Sequence, residues 1–373
     1  MNDNRKRPRQ EKGRPIVLII VLCFIASLVA LTAICISVFK PSVSVTPPFD
    51  GTIPGIDGTG DDISTSQTEN TSGTYTRKNG YYTFLICGTD VVSRNTDVMM
   101  LVSLDTVNDE INILQVPRDT FVNPTTSGYN VTRINGIYTA AYASAPYTGK
   151  TRQKIAMDKL CTAMESSLCI TIDRYMLIDI DAFVGIIDAI GGVDFYVPMD
   201  MDYEDPEQNL YIHLKEGMQH LDGNAAMQFV RYRTGYVSGD IGRVEARADF
   251  LKAVYNKVRE NLSVSVVIEI AKQLFDSFTT DASVEDLVFF ANAVYGINSE
   301  NMNIGTISGS AVQNPQTGVW SYYALNKNKA LADINRYMNA FNESISYSIF
   351  DKNAIFTDDP DGANPYISEY YYS

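Results

Sequence analysis

Residues 174–197 read "RYMLIDIDAFVGIIDAIGGVDFYV". The opening "RYMLIDI" is an apolar run of strand length. Asp181 is placed to cap a helix, "AFVGIIDAI", which the Gly191-Gly192 pair ends. A second strand, "VDFYV", follows at once. Strand, helix and strand in quick succession form the unit of an α/β sheet.

The alternation extends both ways from this stretch. Upstream, "YTFLIC", "VMMLVSL" and "INILQV" are strand-length apolar runs, the last two separated by the polar turn "DTVNDE". "KIAMDKLCTAMESSL" places Met157, Leu160, Met164 and Leu168 on one helical stripe. Downstream, Asp222 caps a helix through "DGNAAMQFVRYR". A longer helix starting near Gly242 aligns Val244, Ala248, Leu251, Tyr255 and Val258. Ser283 and Asp286 form a capping box before "LVFFANAVYG". "VWSYYAL" reads as a further strand and "KALADINRYMNAF" as a further helix. The expected fold is α/β, a central mixed sheet with helices on both faces, over residues 81–345.

The flanks differ in kind. Residues 1–14 carry six basic and two acidic side chains, a net of +4. The whole chain nets −14, which leaves −18 for the rest. An acidic bulk argues against a nucleic-acid partner, since phosphate backbones select basic faces. Residues 15–39 contain no charge, and as a helix they would span roughly 37 Å, enough for a transmembrane segment. The apolar run is too long for a cleaved signal peptide and lacks its small-residue cleavage site. The basic arm before it places the N-terminus in the cytoplasm and the remainder outside the cell membrane, as a single-pass protein. Residues 40–80, rich in Pro, Gly, Ser, Thr and Asp, read as a flexible linker. Residues 346–373 read as an acidic, tyrosine-rich, disordered tail. Cys161 and Cys169 bracket "CTAMESSLC" and are either a small extracytoplasmic disulfide loop or two buried thiols.

The candidate chemistry gathers in two places. "FVRYRTGYVSGDIGRVEAR" holds Arg231, Arg233, Arg243 and Arg247 around a Gly-Asp-x-Gly turn at Asp240. Arg231 and Arg233 share a face if the chain is extended there. Arg243 and Arg247, four apart, border the buried face in the first turns of a helix, where the dipole favours an anion. Guanidinium forks suit phosphate oxygens. The second place is "CGTDVVSRNTD" with "LQVPRDTF", which brings Asp90, Arg94, Asp97, Arg118 and Asp119 to strand ends, where α/β sheets bind ligands. Two carboxylates among several arginines suggest Mg²⁺ and a polyphosphate; a salt-bridge network is the competing reading. The segment "PMDMDYEDPEQN" lacks EF-hand spacing and reads as a solvated loop. His213 and His220 have no nucleophile partner, and no Walker or dinucleotide motif is present.

The blocks "CGTD…SRNTD…VPRDTF…RINGIYTAAY…GDIGRVEARADFLKAV" resemble the LytR-CpsA-Psr family of bacterial cell-wall enzymes, over about residues 81–260 and more weakly to about 345. The resemblance implies a Gram-positive phosphotransferase. Such an enzyme takes an anionic glycopolymer, a teichoic acid or a capsular or wall polysaccharide, from an undecaprenyl-pyrophosphate carrier and joins it to peptidoglycan through a phosphodiester. It implies that Asp90 and Asp97 bind Mg²⁺ and that Arg94, Arg118, Arg231, Arg233 and Arg243 hold the pyrophosphate. Asp119 and Asp240 would orient groups or act as base, with Arg118, Asp97 and Asp119 as the catalytic set. An apolar tunnel between sheet and helices would house the prenyl chain. Where the family commonly reads Gly-Arg-x-x-Arg-Gln, this chain has Ala246 at the second arginine and Arg247 at the glutamine, so Arg247 is expected to restore the cation one residue on. A prenyl-diphosphate hydrolase and a non-catalytic wall-binding or regulatory membrane protein are the rival expectations.

Overall fold

The computed structural model describes residues 41, 75–89, 95–122, 129, 131–208, 210–233, 235–236, 240–313 and 320–353. The expected cytoplasmic arm and anchor and nearly all of the linker lie outside them. Among the described residues no helix is long and apolar enough to cross a membrane.

In chain order, three strands come first: β1 (Tyr81–Thr89), β2 (Thr96–Asp105) and β3 (Glu110–Gln115). Helices α1 (Ile134–Ser144) and α2 (Gly149–Leu168) precede β4 (Arg174–Asp179) and α3 (Ile180–Ala189). Four short strands follow, β5 (Val193–Val197), β6 (Met201–Asp205), β7 (Leu210–Leu214) and β8 (Gly217–Leu221). Helices α4 (Gly223–Arg231), α5 (Asp240–Asn261) and α6 (Val264–Leu274) come next. The last third holds β9 (Thr279–Thr280), α7 (Val284–Tyr295), β10 (Met302–Thr306), β11 (Gly309–Gln313), β12 (Trp320–Leu325), α8 (Lys327–Tyr337) and α9 (Tyr347–Asn353).

The central sheet has six strands in the order β10-β3-β2-β1-β4-β9. It is mixed: β1 with β4 and β3 with β10 run parallel, while β1–β2, β2–β3 and β4–β9 run antiparallel. Alternation along each strand assigns side chains to two faces. Leu85, Cys87, Met99, Leu101 and Leu114 pack under α1, α2, α8 and α9 with Ile137, Leu160, Ile334 and Phe350. Tyr82, Phe84, Val102, Leu104 and Ile111 turn to the other face and meet Tyr255 of α5 and Phe289 and Phe290 of α7. Helices on both faces are thus observed.

The founding stretch folds with two amendments. The cap of α3 is Asp179, not Asp181: its side chain accepts from Ala182 N at 2.8 Å, so the helix starts two residues early. The strand "VDFYV" does not join the central sheet. It pairs antiparallel with β8, while β6 pairs with β7, giving two hairpins that pack with α3, α4 and α5 around Phe195, Phe229 and Phe250. Gly192, at φ +69°, lies so near β8 that a Cβ would sit 2.9 Å from the Leu221 carbonyl. The expected solvated loop "PMDMDYEDPEQN" contains a strand at its centre, Met201–Asp205, although Asp202 and Glu204 do face solvent.

The folded unit is longer than expected at both ends. Tyr75 is buried, and Arg77 reaches the buried Asp173 at 2.5 Å and donates to Thr171 Oγ1 at 2.9 Å. At the other end α9 buries Ile349 and Phe350 in the core, so order continues to Asn353, past the expected limit at 345. Residues 354–373 lie outside the described residues. Cys87, Cys161 and Cys169 are free and buried, and burial raises the pKa of the Cys87 and Cys161 thiols. The reading of two buried thiols holds.

Candidate active site

The sheet topology concentrates strand ends on one edge. The parallel β1 and β4 finish side by side, with Thr89 paired to Asp179, and β3 and β10 finish beyond β2, whose start carries Asp97. Chain ends of parallel strands are where an α/β sheet opens a crevice. Here a cavity of about 680 Å³ enters between the sheet and α3, α4 and α5. Its walls are apolar: Ile86, Val98, Met100, Ile113 and Ile304 from the sheet, and Phe183, Met227, Val230, Phe250 and Leu251 from the helices. Asp97, Arg118, Asp179, Arg231, Arg233 and Arg247 supply its charged lining, with Asn95 and Tyr203 beside them. A hollow of this volume is in the range of ligand cavities.

Each cation is set by its own element. Arg231 is the last residue of α4, whose start is capped by Asp222 accepting from Ala225 N at 2.8 Å. Tyr232 then turns to extended backbone, φ −65° and ψ 132°, which lets Arg231 and Arg233 serve the same hollow, as expected. Arg247 lies in α5, which begins at Asp240, two residues before Gly242; it donates to the Val230 carbonyl at 2.5 Å, tying α5 to α4. Ala246 is buried beside it.

Arg118, just past β3, donates from Nη1 to Asp97 Oδ1 at 2.5 Å. Asp97 Oδ2 lies 3.7 Å from Arg233 Nη2. Asp119 also sits between two cations, 3.5 Å from Arg118 Nε and 3.3 Å from Arg133 Nε. Burial works against the charge on Arg118, but the hydrogen bond and charge of Asp97, with those of Asp119, outweigh it and raise its pKa. Arg233 goes the other way: burial lowers its pKa, Arg118, Arg243 and Arg231 push the same direction, and Asp97 only partly offsets them. The repulsion that Arg233 feels from Arg231 and Arg243 puts both of them near it.

Of the expected residues, Asp97, Arg118, Arg231, Arg233 and Arg247 therefore line one hollow, Arg243 adds its field, and Asp119 adjoins. Asp90 and Arg94 lie outside the described residues, as does the side chain of Asp240. Among the described residues no group of three or more His, Cys, Asp or Glu forms a metal cage. Three contributors were not anticipated. Asp179 ends a strand and was legible by that rule. Tyr203 and Arg133 arrive through hairpin pairing and a helix start, which leave no such mark in sequence.

Residues 55–338 match the LytR_cpsA_psr family. The chain belongs to this family. A relative of this LytR_cpsA_psr chain is the polyisoprenyl-teichoic acid–peptidoglycan teichoic acid transferase TagV of Bacillus subtilis, 28% identical over 218 residues, which are 58% of this chain and 52% of TagV. TagU of Bacillus mycoides, with the same descriptive name, is 26% identical over 232 residues, 61% of this chain and 67% of TagU. This chain thus spans about half of TagV's length. The crystal structure of B. subtilis TagV superposes with a TM-score of 0.54 at 23% identity, covering 68% of this chain and 94% of that one. The family's α/β architecture is the fold seen here.

Proposed function

We propose that this protein is a phosphotransferase that moves a glycopolymer from an undecaprenyl-pyrophosphate carrier to peptidoglycan, leaving a phosphodiester link. The carrying observation is that a crowd of guanidinium groups stands on an apolar hollow. An amphiphile with a doubly phosphorylated head and a hydrocarbon tail matches both halves at once. The names of TagV and TagU as teichoic acid transferases support the reaction class.

In this reading, Arg118, Arg231, Arg233, Arg243 and Arg247, with Arg94 outside the described residues, hold the pyrophosphate oxygens through charge-assisted bonds. The tail lies against Ile86, Met100, Val230 and Leu251. The acceptor hydroxyl attacks the sugar-linked phosphorus in line, its new P–O bond forming as the bond to the bridging oxygen breaks, and undecaprenyl phosphate leaves, its phosphate taking up the proton that the hydroxyl loses. Positioning and charge stabilisation supply most of the acceleration. Both oxygens of Asp119 already face guanidinium groups, which suits an orienting role better than that of a base.

Mg²⁺ is commonly held by one or two carboxylates together with substrate phosphates. Asp97, a partly exposed carboxylate opening on the hollow, would offer the ion its oxygen on the looser Arg233 side, and Asp90 would complete the donor set. When bound, the ion would neutralise developing phosphate charge. Anchoring of the domain outside the cell membrane by residues 15–39 belongs to the same proposal, supported by their freedom from charge.

The decisive experiment incubates the protein with a lipid-linked donor, with and without peptidoglycan oligosaccharide. Product that forms only with acceptor supports the transferase. Release without acceptor favours the hydrolase, and no turnover in either arm favours a wall-binding role.

A further inference from the structure

Arg118 stands at the middle of a line of alternating charge, Arg133, Asp119, Arg118, Asp97 and Arg233, with Asp119 between it and Arg133. We propose that Arg133 is a positioning residue that acts through Asp119 to keep Arg118 available to a phosphorylated head group. The inference rests on the diphosphate reading of the site.

The backbone of this corner is held from two sides. Ile134 N and Asn135 N, in the first turn of α1, donate to the carbonyls of Thr120 and Arg118 at 2.9 and 3.4 Å. From the other side Tyr323 N, on β12, donates to the Asp119 carbonyl, and Phe121 N to the Tyr323 carbonyl, at 2.8 and 2.9 Å. Arg133 is the N-cap of α1, so its stem is fixed by the same junction. Its guanidinium lies over the Tyr322 ring at 5.5 Å, and Tyr322 is itself set by stacking edge-on with Phe121 and by donating to Thr132 Oγ1 at 3.0 Å.

The consequence is electrostatic. Asp119 divides its two oxygens between Arg118 Nε and Arg133 Nε, at 3.5 and 3.3 Å, and makes a tight contact with neither. Without Arg133, the carboxylate has one cation left to approach among the described residues, Arg118. It would close on Arg118, which already carries Asp97, and two acids would then compete with the incoming phosphate for one guanidinium. Neither Arg133 nor Asp119 lines the cavity, and their contacts reach it through Arg118, which does.

The test uses the full chain in detergent, with undecaprenyl pyrophosphate as probe, and reads dissociation constants at low ionic strength, where partly exposed charges are least screened. Arg133→Ala is expected to weaken binding roughly fivefold, the scale of a partly exposed ion pair. Arg133→Lys, which keeps the charge but loses the planar group over Tyr322, should recover part of it. In an Asp119→Asn background, Arg133→Ala should have little effect, because the acid it restrains is gone. Melting curves of each variant confirm folding. An equal loss in both backgrounds, or no loss with Asp119 intact, overturns the role of Arg133. Unchanged binding by Arg118→Ala overturns the diphosphate reading instead.

Discussion

Asp97 on β2 and Arg118 just past β3 meet at 2.5 Å over the cavity, and the second oxygen of Asp97 lies 3.7 Å from Arg233, just past α4. One acid therefore gathers cations from two distant parts of the chain. Arg118→Ala and Arg231→Ala are each expected to reduce transfer by about 10² or more, the scale of a lost charge-stabilising donor. Unaltered melting curves would show that the fold survives. Near-normal attachment by both purified variants would contradict the site.

Ala248 lines the cavity on α5. Ala248→Trp should fill the hollow and impair donors with long prenyl tails while sparing farnesyl-length analogues. Comparing turnover across tail lengths checks this, and equal loss for all lengths would place the tail elsewhere.

Phe350 is fully buried against the core from α9. Phe350→Ala is expected to cost about 3 kcal/mol in denaturant unfolding, through lost burial and the cavity left behind. Truncation at residue 345 should be at least as damaging. Wild-type stability in the truncated chain would return α9 to the status of a dispensable tail.

Burial raises the pKa of Glu165 above 4.5, against the hydrogen bond from Ile172 N and with help from the Asp173 charge. A raised carboxyl binds its proton more tightly when folded. Its stabilising contribution is full below the unfolded value and is lost as pH rises through the folded one. Glu165→Gln keeps the acceptor and removes the charge, so it should raise the melting temperature at pH 7 by roughly 2 °C. The difference should shrink by pH 4, and an equal or larger gain at that pH would refute the sign.

The strand–helix alternation was readable because burial imposes period 2 on strands and a stripe on helices. The Asp222 cap and the Ser283–Asp286 box also formed as read, since both are local hydrogen bonds. The Asp181 assignment failed because either aspartate satisfies the local rule, and only the end of β4 decides between them. The hairpins of β5–β8 and β6–β7 were missed for a related reason. An acidic outer face resembles a loop until its inner residues, Met201, Ile212 and Leu214, are seen packed beneath it.

Sequence alone determined the fold class, the family and the presence of arginines and aspartates at strand and helix ends. These follow from short-range patterns and from motifs contiguous in the chain. Tertiary structure decided which of those charges share a hollow, that Arg133 stands behind Asp119, and that apolar walls lie beneath the cations. Such pairings depend on strand order and helix packing, which join neighbours such as Arg133 and Asp119 and distant residues such as Asp97 and Arg233 alike, and no local periodicity encodes them.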